Sequence, residues 1–181
     1  MMAVAISCSE IPEEPGIEQI PVNPDAVAFY ANIQNTTRAT DLSFEEGDEI
    51  SVFATEKNVL QTTNYAQNIR YTYNNSLFVT SDDLSYPDEY TTLSFFAIYP
   101  YDSYTTPEFT FEVNTDQSNN GAYTESDLMT ASQIAKNQDL VDLTFSHRMA
   151  KVVINLSAAN LPAGDQSVTF NDVLTQAKAD L

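Results

Sequence analysis

His147 is the one histidine of this chain and the first residue to test for acid–base or nucleophilic chemistry. It stands between strand-like segments and no GxSxG elbow occurs, so a hydrolytic triad is not written here. His147 reads as a packed or edge residue at a strand end. Among 26 acidic residues, pairs such as Asp82/Asp83 and Glu45/Glu46 arise by chance. A pair of carboxylates is what glycoside hydrolysis needs, but nothing selects these, and they read as solvated turns. A single cysteine and a single histidine leave neither an internal disulfide nor a Cys/His metal site. One metal pattern remains. Asp116, Ser118, Asn120 and Asp127, with Gly121 at the sixth position, partly fit a calcium loop with donors at the first, third, fifth and twelfth positions. The twelfth residue is Asp where a longer Glu would reach the ion bidentately, and strands flank the loop. The stretch therefore reads as a connection using Asn-Gly for its positive φ angles, and no metal or other cofactor is expected. Ten tyrosines raise sugar stacking. Tyr99, Tyr101 and Tyr104, around Pro100, are expected to reach the surface together; tyrosines at strand period are expected to pack within sheets.

Cys8 suggests another chemistry. Met1 to Ser7 (MMAVAIS) is apolar and small, and a polar stretch rich in Pro and Glu follows the cysteine. Ala5-Ile6-Ser7-Cys8 resembles a bacterial lipobox, whose cysteine takes a diacylglycerol before the leader is cleaved. No Lys or Arg precedes Arg38, so the basic n-region of a leader is missing. Residues 1–8 are accordingly read as the remnant of a lipoprotein signal peptide that begins further upstream. A lipid on Cys8 would be the only membrane contact.

The elements that must position these residues follow from composition and period. The chain has 181 residues and a net charge of −19, which repels nucleic-acid phosphates and anionic headgroups and excludes nucleic acid as a partner. Its four glycines, Gly16, Gly47, Gly121 and Gly164, are too far apart for a GxGxxG turn or a P-loop. Hydrophobic residues make up 43% of the chain, yet no apolar run approaches the ~20 residues of a membrane helix. Residues 9–26, with four of the eight prolines, read as an extended tether. From Val27 to Gln34 the chain alternates, placing Val27, Phe29, Ala31 and Ile33 on one face. The same period recurs at Ile50/Val52/Ala54, Ile69/Tyr71/Tyr73, Leu93/Phe95/Ala97/Tyr99, Phe109/Phe111/Val113, Val141/Leu143/Phe145 and Val152/Ile154/Leu156. Only Ser126–Ala135 and Asp172–Ala179 offer short helical turns. The expected fold is all-β: an antiparallel two-sheet sandwich of about seven strands. A closed barrel is the rival, and periodicity does not separate the two.

Four blocks in register then resemble the fimbrillin-like surface proteins, subunits of fimbriae in anaerobic gut and oral bacteria. They are Thr37-Arg38-Ala39-Thr40 with Phe44 to Phe53; Phe96-Ala97-Ile98-Tyr99-Pro100-Tyr101; Asp127-Leu128-Met129-Thr130-Ala131; and Leu143 to Val152. The resemblance implies a transthyretin-like N-terminal β-sandwich domain over 27–160, with 161–181 the start of a truncated C-terminal region. It implies a non-enzymatic structural or adhesive subunit, exported as a lipoprotein to the outer membrane and cell surface. Assembly would follow loss of the first strand: a protease cuts between Arg38 and Ala39, and Val27, Phe29, Ala31 and Ile33 leave with the exchangeable strand. The implied partners are other fimbrial subunits through strand addition, with surface glycans or proteins as adhesion targets. Each large side chain reburied by an incoming strand contributes roughly 1.5–3 kcal/mol, so an open groove is strongly disfavoured. The alternative is a cell-surface glycan-binding β-sandwich lipoprotein, for which an exposed tyrosine platform would be the structural sign.

Overall fold

The computed structural model describes residues 22–34, 43–106, 108–118, 120–137, 141–150, 152, 154, 157, 164, 169 and 172–181. Among these, the order of elements is β1 (Phe29–Ile33), β2 (Glu49–Thr55), β3 (Ala66–Asn74), β4 (Leu77–Val79), β5 (Thr92–Tyr99), β6 (Glu108–Glu112), α1 (Asn120–Thr124), β7 (Met129–Lys136), β8 (Val141–His147) and β9 (Gln176–Asp180). Seven strands close into a ring in the order β1-β4-β3-β2-β5-β7-β8, while β6 and β9 form a separate two-stranded sheet. The all-β expectation holds, but the antiparallel sandwich is corrected. A ring with an odd number of strands cannot alternate direction throughout, and the mismatch falls between β1 and β8, which run parallel.

The alternating residues face where their period places them. Ile50, Val52 and Ala54 of β2 and Leu93, Phe95, Ala97 and Tyr99 of β5 belong to the main core, with Phe145, Leu143 and Val141 of β8. Phe53 and Ile98, on the opposite faces of β2 and β5, enter a second core with Leu60, Tyr104, Leu128 and the β6 residues Phe109 and Phe111. β2 and β5 are thus buried on both faces, which is why they are the most continuously apolar strands.

Four elements depart from expectation. Met129–Lys136, which overlaps the Ser126–Ala135 stretch expected to offer short helical turns, is strand β7; it pairs with β5 over eight positions, and this pairing outweighs the weak strand preference of its alanines. The helical turn comes earlier, at Asn120–Thr124. Gln176–Asp180, overlapping the Asp172–Ala179 stretch also expected to offer short helical turns, is β9, laid along β6 from Glu112↔Gln176 to Glu108↔Asp180. Val152 and Ile154 lie in no strand and are exposed, so the described part of the expected last strand is not one. β4 was not foreseen at all. It returns from β3 through Asn75 and Ser76, whose φ angles of 51° and 72° suit the tight two-residue hairpin.

Candidate functional site

β1 closes the ring, and its two edges are held unequally. Toward β8 it keeps register from Phe29↔Val141 to Ile33↔Phe145, and the Gln34 N–H donates to the Phe145 carbonyl at 2.7 Å just beyond. Toward β4 it has one register pair, Phe29↔Phe78, since β4 is three residues long. Its inner face follows the predicted alternation: Phe29 is wholly buried, Ala31 and Ile33 are partly buried against the core, and Tyr30 and Asn32 face outward. Val27 packs on the same core from just before the strand. Its N–H donates to the Leu84 carbonyl at 2.8 Å, and its carbonyl accepts from the Tyr71 hydroxyl at 2.8 Å. Further upstream, the Asn23 N–H donates to the Thr80 carbonyl at 2.7 Å and its side-chain amide to the Asp82 carbonyl at 3.1 Å.

The deep point of the slot is the pocket around Phe29. Its ring meets Tyr71 edge-on at 4.9 Å and Phe95 at 5.1 Å between centroids. Edge-to-face pairs of this kind add about 0.5–1.5 kcal/mol to the burial itself. Burial, reinforced by the charge of Asp82, pushes the Tyr71 phenol far above its ordinary value near 10, so it stays protonated and keeps donating to Val27. The sequence reading singled out the strand that fills the slot but not its walls, Tyr71, Phe78 and Phe95. The alternation of their segments places Tyr71 and Phe95 inward, while Phe78 lies in a strand too short to show a period; only tertiary structure brings Tyr71 and Phe95 against the Phe29 ring and sets Phe78 opposite it in register.

The other candidate residues are placed as follows. Cys8, Arg38 and Ala39 lie outside the described residues. The Asp127 carboxylate is turned to His147, with 2.8 Å and 2.9 Å from its two oxygens to Nδ1, joining the start of β7 to the end of β8. Asp116 instead accepts from the Ser118 N–H at 3.0 Å, and its hydrogen bonds to Ser118 hold its carboxyl below the usual range. Asn120 is the first residue of α1. The described residues hold no group of three His, Cys, Asp or Glu suited to a metal. The expected tyrosine platform is corrected. Tyr99 and Tyr104 are buried, with hydroxyls donating to Asp48 at 3.4 Å and to the Pro100 carbonyl at 3.0 Å, and Tyr101 is half-buried beneath the Arg70 guanidinium at 4.2 Å. Apolar packing of Tyr99 on the main core and of Tyr104 on the second keeps these two rings from solvent.

Comparison with known proteins gives a family for this architecture. A Bacteroides ovatus ATCC 8483 protein named as fimbrium tip subunit Fim1C is 28% identical over 173 residues, which cover 82% of this chain and 32% of that protein. The crystal structure of a fimbrial protein from the same strain superposes with a TM-score of 0.50 at 23% identity, over 69% of this chain and 29% of that one, so the two share a fold. The chain thus spans about a third of the length of these relatives. The model of the fimbrillin-like family matches residues 37–181, which take in every described strand after β1. With that match over most of its length, the chain belongs to the fimbrillin-like family.

Proposed function

We propose that the chain is the strand-accepting domain of a non-enzymatic fimbrial subunit, carried to the cell surface as a lipoprotein through Cys8 and assembled by exchange of β1. The observation that carries this reading is the way β1 sits: one wholly buried side chain, a parallel ladder on one edge and a single register pair on the other. A cut between Arg38 and Ala39 separates this strand from β2 and frees it to leave. The vacated slot exposes the edges of β4 and β8 together with the Phe29 pocket, and an extended segment of a neighbouring subunit fills it by β-augmentation. Other fimbrial subunits are the partners, and the name of the Bacteroides ovatus relative supports a place at the fimbrial tip.

Expression of the full chain in a fimbriated host tests the reading. Assembled material is expected to start at Ala39 by N-terminal sequencing and to run as a ladder on unboiled gels, while Arg38→Ala stays unpolymerised with β1 attached. Assembly of the Arg38→Ala variant to the same ladder overturns processing at this site; an unlipidated Cys8 in the uncut Arg38→Ala protein overturns the anchor.

A further inference from the structure

The slot has one deep pocket and several shallow positions, and that asymmetry says which strands fit it. Phe29 is the one wholly buried side chain of β1; Val27, Ala31 and Ile33 cover the rim of the core and remain partly exposed. The β4 edge gives a single register pair, so the ladder there fixes the position of β1 weakly. The β8 ladder holds five pairs, but a parallel ladder repeats every two residues, and a slip of two keeps the same side chains facing inward. Such a slip would place Val27 or Ala31 between Tyr71 and Phe95, leaving the pocket part-empty. A buried aromatic surrounded by lesser contacts is the arrangement of an interface hot spot.

We propose that this slot selects and registers its incoming strand through a single aromatic anchor at the Phe29 position, between Tyr71 and Phe95, with apolar residues two before and four after it. The partner is a segment of another subunit that reads apolar-x-aromatic-x-x-x-apolar. The inference rests on the strand-exchange reading and adds to it the chemistry that the partner must carry.

The test uses the full chain with Cys8→Ser and a site-specific protease sequence inserted between Gln34 and Ser43. The protein is folded first and then cut, so that the resident strand is held without a covalent link. Labelled peptides with the sequence of residues 22–34 are then offered in excess. The unaltered peptide is expected to displace the resident strand. The Phe29→Ala peptide is expected to bind about 100- to 1000-fold more weakly, and Tyr30→Ala within about threefold of the unaltered one. A peptide carrying both Phe29→Ala and Ala31→Phe is expected to bind two residues out of register. A cysteine at peptide position 32 then no longer crosslinks to Thr144→Cys, its register partner in the intact chain. Equal binding of the Phe29→Ala and unaltered peptides, or crosslinking that stays at Thr144 for the shifted peptide, overturns the anchor while leaving exchange intact. Failure of the unaltered peptide to enter, even when the resident strand carries Phe29→Ala or mild urea is added, overturns exchange itself.

Discussion

β1 and β9 are each five residues long and each paired over five register positions, yet they are held in different ways. β1 places Phe29 wholly inside the main core and two more side chains partly on it. In β9, Gln176, Ala177, Lys178 and Asp180 are exposed, and Ala179 alone is partly covered. A backbone hydrogen bond contributes about 0.5–1.5 kcal/mol net, while fixing a residue's backbone costs about 1–2 kcal/mol. A strand added by its ladder alone is therefore close to neutral, and the buried side chain makes the difference. β1 is gripped by what it inserts. β9 covers the edge of β6, with Ala179 and the following Leu181 touching the second core.

Urea unfolding of single variants should widen that contrast. Phe29→Ala is expected to cost about 3–5 kcal/mol, since it empties the pocket between Tyr71 and Phe95. Tyr71→Phe keeps the ring contact and is expected to cost about 0.5–2 kcal/mol, because it leaves the part-buried Val27 carbonyl without its donor. Alkaline titration examines the same hydroxyl. Its folded pKa lies above the unfolded value near 10, so its contribution is complete below pH 10. Stability is then lost above that pH at about 1.4 kcal/mol per pH unit for this group, a share of the slope that Tyr71→Phe should remove. By contrast, ending the chain after Thr175, which removes β9, is expected to change stability by about 1 kcal/mol or less. A loss as large as that of Phe29→Ala would show that the ladder, not the anchor, holds a strand on this fold. Glu49→Gln should have the smallest effect, under about 1 kcal/mol, because the Arg70–Glu49 pair at 3.6 Å is exposed to solvent.

What could be read in advance tracks how local its cause is. The alternation of β1, β2, β3, β5, β6 and β8 is a property of each segment's own residues and was legible before any fold was known. β4 has three residues, too few for a period, and its position follows from the hairpin at Asn75 and Ser76. β7 and β9 have mostly small or polar side chains, and they are strands because β5 and β6 offer them edges. The parallel seam was equally invisible. It follows from the parity of a seven-membered ring, which no single segment encodes. At the slot, the inward face of β1 was legible, whereas the Tyr71 hydroxyl that tethers Val27 and the pairing of Asp127 with His147 arise from residues 44 and 20 positions apart.

The seam between β1 and β8 also sets an order in time. Gln34 meets Ser146 across it, 112 residues further along the chain. During synthesis β1 emerges before β8 and must wait for almost the whole intervening chain before its long partner edge exists.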